Sequence, residues 1–148
     1  MSQVSWNQYS KKYPDRSYKD VRAGNFPCFY CGVDSSQIDH FIPQAHIKSI
    51  KSLVELEGVL NKYKEDVWRD QQIIPSCGEC NRLASDGLFS SPNQKKDFIK
   101  AKLAKRYERI MDLPDWGEKE IEILDYGLQQ TVKGGLHDRR MIRERLAW

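Results

Sequence analysis

The sequence predicts an α+β domain, mostly helical, closed by a bound metal. Three observations predict it. Apolar residues recur three and four positions apart over residues 44–68 and along one face of 91–111. One short stretch, 35–42, reads as a strand between a turn at 33–36 and Pro43. The four cysteines of the chain fall into two C-x-x-C pairs, Cys28/Cys31 and Cys77/Cys80.

The cysteines fix the frame. Two C-x-x-C pairs that use every cysteine are the pattern of a structural zinc site, with two thiolates from each turn. Two disulfides, or four buried thiols, are the alternative. The pairs are separated by 45 residues, against roughly 15–20 in ordinary C-x2-C zinc modules. A metal here closes a loop large enough to carry other chemistry, and that loop contains Asp39-His40.

At 148 residues with 39% hydrophobic and 11% aromatic content, the chain suits one modest core. Small cores often need a metal staple. No apolar run approaches the ~20 residues of a membrane span. The first ten residues lack the apolar stretch of a signal peptide. The expectation is an intracellular protein with reduced thiols and no membrane partner.

The net charge of +3 conceals alternating blocks. Residues 1–24 carry +3, 25–94 carry −3, 95–111 carry +5, 112–130 carry −5 and 131–148 carry +3. Basic blocks flank the cysteine unit, and Lys and Arg displace condensed counterions from phosphates. Nucleic acid is therefore a natural partner, with solvated helix faces as the bland alternative. The sequence leaves homo-oligomerisation open.

Three regions follow: a basic N-terminal arm at 1–24, a cysteine-stapled core at 25–90 and a helical region at 91–148. The arm interleaves Tyr9, Tyr13 and Tyr18 with five cations and shows no period, so it is expected to be extended. Gly32 permits the tight turn after Cys31. A helical insert covers 44–68, with Gly58 as a dividing point. A short helix should start near Ser76 or Cys77 and end by Gly87. Ser91-Pro92 is a helix start, a capping hydroxyl before Pro in the first turn. That helix should reach about Met111, with Ile99, Leu103 and Tyr107 on one face and Lys102, Lys105, Arg106 and Arg109 on another. A further helix should run from Glu118 to Val132 and stop at Gly134-Gly135, and a last one from His137 to Leu146. Trp68, Trp116 and Trp148 read as packing residues, His46 and His137 as surface or structural histidines.

Asp39-His40 places a hard oxygen ligand beside an imidazole. On a strand the two point to opposite faces, so one can hold a metal while the other reaches a water. Asn81 directly follows Cys80, so a metal held by the cysteines would fix its direction. A carboxylate and an amide oxygen suit Mg²⁺. Arg82, beside Asn81, could clamp a phosphate.

Cys28-x-x-Cys31, then Asp39-His40-Phe41-Ile42-Pro43, then Ile74-Pro75-Ser76-Cys77-x-x-Cys80-Asn81, resembles the HNH or ββα-metal endonucleases. The nearest branch is the zinc-bearing one typified by phage endonuclease VII. The likeness spans residues 28–86. It implies a ββα-metal core, a structural zinc on Cys28, Cys31, Cys77 and Cys80, and one catalytic Mg²⁺ or Mn²⁺ on Asp39 and Asn81. It also implies His40 as the general base for hydrolysing phosphodiester bonds, with DNA as the expected substrate. Two features depart from the family. Gln72 stands near a position that is often Asn, and the 44–68 insert is longer than the usual loop. The basic residues expected to touch nucleic acid are Arg82, Lys102, Lys105 and Arg106. A non-catalytic zinc-stapled nucleic-acid-binding module is the main rival. A zinc deaminase fits poorly, because Lys48 stands where its essential Glu should follow His46.

Overall fold

In the computed structural model, residues 3–14, 16–42, 52, 57–58, 73–84 and 87–148 are described. Their elements are α1 (Trp6–Lys12), α2 (Tyr18–Arg22), β1 (Gln37–His40), β2 (Ile73–Ser76), α3 (Gly78–Ala84), α4 (Pro92–Arg106), α5 (Glu108–Met111), α6 (Glu118–Glu122) and α7 (Tyr126–Ala147). The fold is mostly helical with a single two-stranded sheet among these residues. The strands β1 and β2 are antiparallel, pairing Asp39 with Ile74 and His40 with Ile73. Of the expected insert at 44–68 only residues 52 and 57–58 are described, the last two as helix; His46, Trp68, Pro43 and Gln72 lie outside the described residues.

The N-terminal stretch is not extended. Ser5 and Gln8 form a capping box that opens α1, and the Ser17 hydroxyl caps α2. Trp6, Tyr9 and Val21 are buried. The rings of Trp6 and Tyr9 pack on Phe29 at centroid distances of 5.0 and 5.3 Å. Two helices of seven and five residues are too short for a helical period to appear, so only their caps announce them.

The start of α4 follows its sequence signal. The Ser91 hydroxyl accepts from the Gln94 amide, with Pro92 in the first turn. The helix ends at Arg106, and α5 continues to Met111 after a break at Tyr107.

The C-terminal helices divide differently from expectation. The helix from Glu118 ends at Glu122. Asp125 then caps α7, which runs unbroken through Gly134-Gly135 to Ala147. Neither glycine stops the helix; a Cβ on Gly134 would meet nothing within 4 Å, whereas Gly135 faces Leu113. A Cβ there would lie 3.0 Å from Leu113 Cδ1. Arg139, on the same helix, donates to the Leu113 carbonyl and pairs with Asp115 at 2.5 Å. Trp116, expected to pack, is 38% exposed.

The core gathers Trp6, Tyr9, Phe29, Tyr30, Phe41, Ile42, Ile74, Ile99 and Leu103 around the four cysteines. Helix α4 crosses it and buries three lysines along with Ile99 and Leu103. No helix among the described residues is long and apolar enough to cross a membrane.

Candidate metal centre and the adjoining strand-helix site

Each cysteine pair sits on a tight backbone turn. Around the first, the Cys28 amide donates to the Val33 carbonyl at 2.6 Å and the Gly32 amide to the Cys28 carbonyl at 2.8 Å. Gly32 takes φ +78°, which a side chain would oppose. In the second, the Cys80 amide donates to Cys77 Sγ at 3.4 Å, and Asn81 N to the Cys77 carbonyl at 3.0 Å. The Phe29 amide donates to the Pro75 carbonyl at 2.9 Å, which locks the first turn onto β2.

All four sulfurs are buried, free of disulfides and within 4.8 Å of one another. Cys31 and Cys77 Sγ are 3.8 Å apart. A tetrahedron of ~2.3 Å Zn–S bonds has edges of about 3.8 Å, whereas a disulfide needs ~2.05 Å. The cluster can therefore hold a structural metal such as zinc. Its charge is already uneven. Hydrogen bonding from Cys28 lowers Cys77 to about 6, and the same neighbour holds Cys31 far below the ordinary thiol range. Burial pushes Cys28 up, and hydrogen bonding with Cys28 does the same to Cys80. The sulfurs hydrogen-bond one another, and a bound cation would displace their protons.

Cations surround the cluster. Arg145 Nη2 reaches Cys77 Sγ at 4.0 Å, and its Nη1 meets Glu79 between the two cysteines at 2.7 Å. Against the pull of burial, hydrogen bonds from Tyr107 and Arg145 hold Glu79 below the usual carboxylate range. Lys100 Nζ donates to the Leu146 and Trp148 carbonyls at 2.9 and 2.6 Å. Lys96 Nζ donates to the Val4 carbonyl at 2.7 Å and lies 4.9 Å from the Phe29 ring centre. Burial lowers Lys96 to about 7, while Cys28 and Cys31 pull it upward. A tetrathiolate centre with a divalent cation carries net negative charge, so these ammonium and guanidinium groups are its natural surroundings.

Helix α3 follows β2 directly, and both lie against β1. Gln37 and Asp39 share one face of β1, Ile38 and His40 the other. Asn81 Nδ2 donates to Gln37 Oε1 at 3.0 Å. Asn81 therefore stands beside Gln37, whose side chain shares the strand face of Asp39, with one amide N–H donated.

Asp39 is buried, with only 5% exposure. Its Oδ2 accepts from the Tyr30 hydroxyl and meets Lys95 Nζ at 2.7 Å. The ammonium approaches off the hydrogen-bonding direction: among the described residues Lys95 Nζ has no directed hydrogen bond. Burial, with Asp39 next, keeps Tyr30 protonated well above the usual tyrosine range. The donor set of one carboxylate and one amide oxygen suits a hard divalent cation. Of the carboxylate, Oδ2 is already shared by Tyr30 and Lys95.

His40 is half-buried. Its Nε2 lies 3.3 Å from the Tyr18 hydroxyl of α2. Burial lowers its pKa, Asp39 opposes this, and Lys95 and Arg22 reinforce the lowering. The imidazole is held neutral, the state in which it accepts a proton.

The expected nucleic-acid contacts are not equivalent. Arg82 and Lys105 are exposed. Lys102 Nζ donates to the Leu83 carbonyl at 3.2 Å and covers the Phe98 ring at 4.5 Å. Arg106 pairs with Glu79 at 3.2 Å. The basic run of α4 is split, because Lys95, Lys96 and Lys100 point inward.

Sequence reasoning missed Tyr30, Lys95 and Tyr18, which touch Asp39 and His40. Lys95 stands four residues before Ile99, in register with the buried face, and that spacing was the available signal. The chain matches no family model, and no curated protein or solved structure matches it.

Proposed function

We propose that the chain is a metal-dependent endonuclease of the ββα-metal type, with zinc as the structural metal of its cysteine cluster. One observation carries this reading. A strand bearing Asp39-His40, an antiparallel strand and a helix bearing Asn81 follow in order, and Asn81 bonds Gln37, which shares the strand face of Asp39.

In this reading Asp39 and Asn81 hold a Mg²⁺ or Mn²⁺ ion, which when bound would stabilise the charge of the attacked phosphate and the leaving oxygen. His40, on the other face and neutral, takes a proton from the attacking water. Tyr18 orients the imidazole through Nε2. Tyr30 fixes the carboxylate of Asp39. Exposed Arg82 and Lys105 contact phosphates without reading bases. DNA is the proposed substrate.

A second reading has its own support. The ion pair between Asp39 and a fully buried Lys95 is also what a non-catalytic, nucleic-acid-binding scaffold would keep for stability. Incubating supercoiled plasmid with the zinc-loaded protein and Mg²⁺ or Mn²⁺ separates the two. Nicking by the parent and none by Asn81→Ala, at equal zinc content, supports the nuclease. Binding without nicking supports the scaffold.

A further inference from the structure

We propose that the Lys95 ammonium is the resident counterion of Asp39 and competes with a divalent cation for that carboxylate. This rests on the metal assignment made above and adds a built-in threshold to it. The side chain of Lys95 has 0% exposure and that of Asp39 6%. At 2.7 Å the pair is closed to solvent, so the charge of the Asp39 carboxylate is already balanced by the Lys95 ammonium. Tyr30 contributes a hydroxyl donor to the same oxygen. Asn81 and Gln37 are neutral. Among the described residues, a divalent cation therefore meets a charge-balanced pair with a like charge in contact with its ligand. In a dry site that repulsion is poorly screened.

The placement of the amine supports displacement. Lys95 Nζ makes no directed hydrogen bond among the described residues, and the Phe89 ring centre is 5.9 Å from the nitrogen. Among the described residues its polar contact is the ion pair with Asp39. The ammonium stands on α4, whereas its partner is on β1, so a small movement of one side chain separates them without disturbing a ladder bond. When it leaves Asp39, its three N–H donors are available to a phosphate oxygen.

The experiment is a Mn²⁺ titration of the zinc-loaded full chain, with free Mn²⁺ read by electron paramagnetic resonance. The proteins are the parent, Lys95→Met, Lys95→Gln and the Lys95→Met/Asp39→Asn pair. Zinc content and circular dichroism show that each is folded. Mn²⁺ affinity at least tenfold tighter in the Lys95 variants than in the parent, and lost in the double variant, is expected. Equal or weaker affinity in the Lys95 variants, still dependent on Asp39, overturns the competition and leaves the metal assignment standing. No Asp39-dependent Mn²⁺ in any protein overturns both. One measurement on the parent needs no variant. Saturating Mn²⁺ should raise reductive methylation of Lys95 at least fivefold by mass spectrometry, and unchanged labelling overturns the proposal.

Discussion

The indole of Trp148 lies across Gly32. Its Nε1 donates to the Phe29 carbonyl at 2.9 Å, and a Cβ on Gly32 would stand 2.7 Å from the ring. The glycine between the first cysteine pair and the strand is thus fixed twice, by φ +78° and by the ring above it. Gly32→Ala should cost at least about 1–2 kcal/mol from the left-handed backbone, with the ring displacement added. Urea unfolding of the zinc-loaded protein reads it. Trp148→Ala combined with Gly32→Ala should cost less than the two changes summed, because the double variant removes the clash.

The cysteine cluster should bind one zinc per chain. Metal binding in comparable small sites is worth ~10–16 kcal/mol of folding. Cys28→Ser or Cys80→Ser should therefore unfold or aggregate the protein, and strong chelators should melt it. Elemental analysis and circular dichroism before and after chelation check this.

Asp39→Asn should destabilise the fold even though it conserves shape. It leaves the Lys95 ammonium buried without its partner, a loss of ~3–5 kcal/mol in comparable buried pairs. Lys95→Met on top of it should restore part of the loss. Denaturation midpoints of the four proteins in a double-mutant cycle give the coupling, and strict additivity would remove the ion pair as a stabilising contact.

His40→Ala should fold, bind zinc and bind DNA, yet cleave at least ~100-fold more slowly, since positioned bases contribute ~10²–10⁴. The pH dependence follows from the direction of its shift. Burial and neighbouring cations lower the pKa, and the base works only when neutral. Activity should be lost as pH falls through a midpoint below the ordinary histidine value of ~6.5 and be flat above it. A pH–rate profile of the parent locates that midpoint, and Tyr18→Phe should move it or lower the plateau without changing zinc content.

Neutralising Lys105 and Arg82 should weaken DNA binding and flatten its salt dependence, as loss of phosphate contacts does. Lys102→Gln and Arg106→Gln should do less, because those side chains already hold Leu83 and Glu79. Salt-dependent affinity by fluorescence anisotropy ranks the four.

The parts legible in the sequence were those set by local rules. The C-x-x-C spacing announced the thiolate cluster, Ser91-Pro92 announced α4, and the alternation of a strand separated Asp39 from His40. What escaped was decided by packing. The capped turns at Ser5 and Ser17 were too brief to show a period. Gly134-Gly135 read as a stop, yet α7 runs through both, with Gly135 packed closely against Leu113. Lys95, Lys96 and Lys100 read as part of a basic block, yet each has an internal anion or carbonyl partner. Charge in a sequence does not say which way the side chain faces.

Those three amines have a consequence for dissecting the molecule. From one helix they reach Asp39 on β1, the carbonyl of Val4 and the carbonyls beside Trp148. A fragment ending between residues 85 and 91 would keep the cysteines, Asp39, His40 and Asn81. It would nevertheless leave a buried carboxylate without its cation and strip the indole from the first cysteine turn. The motif-bearing segment is therefore not a transplantable unit, and grafting it onto another scaffold would require carrying α4 and the end of α7 with it.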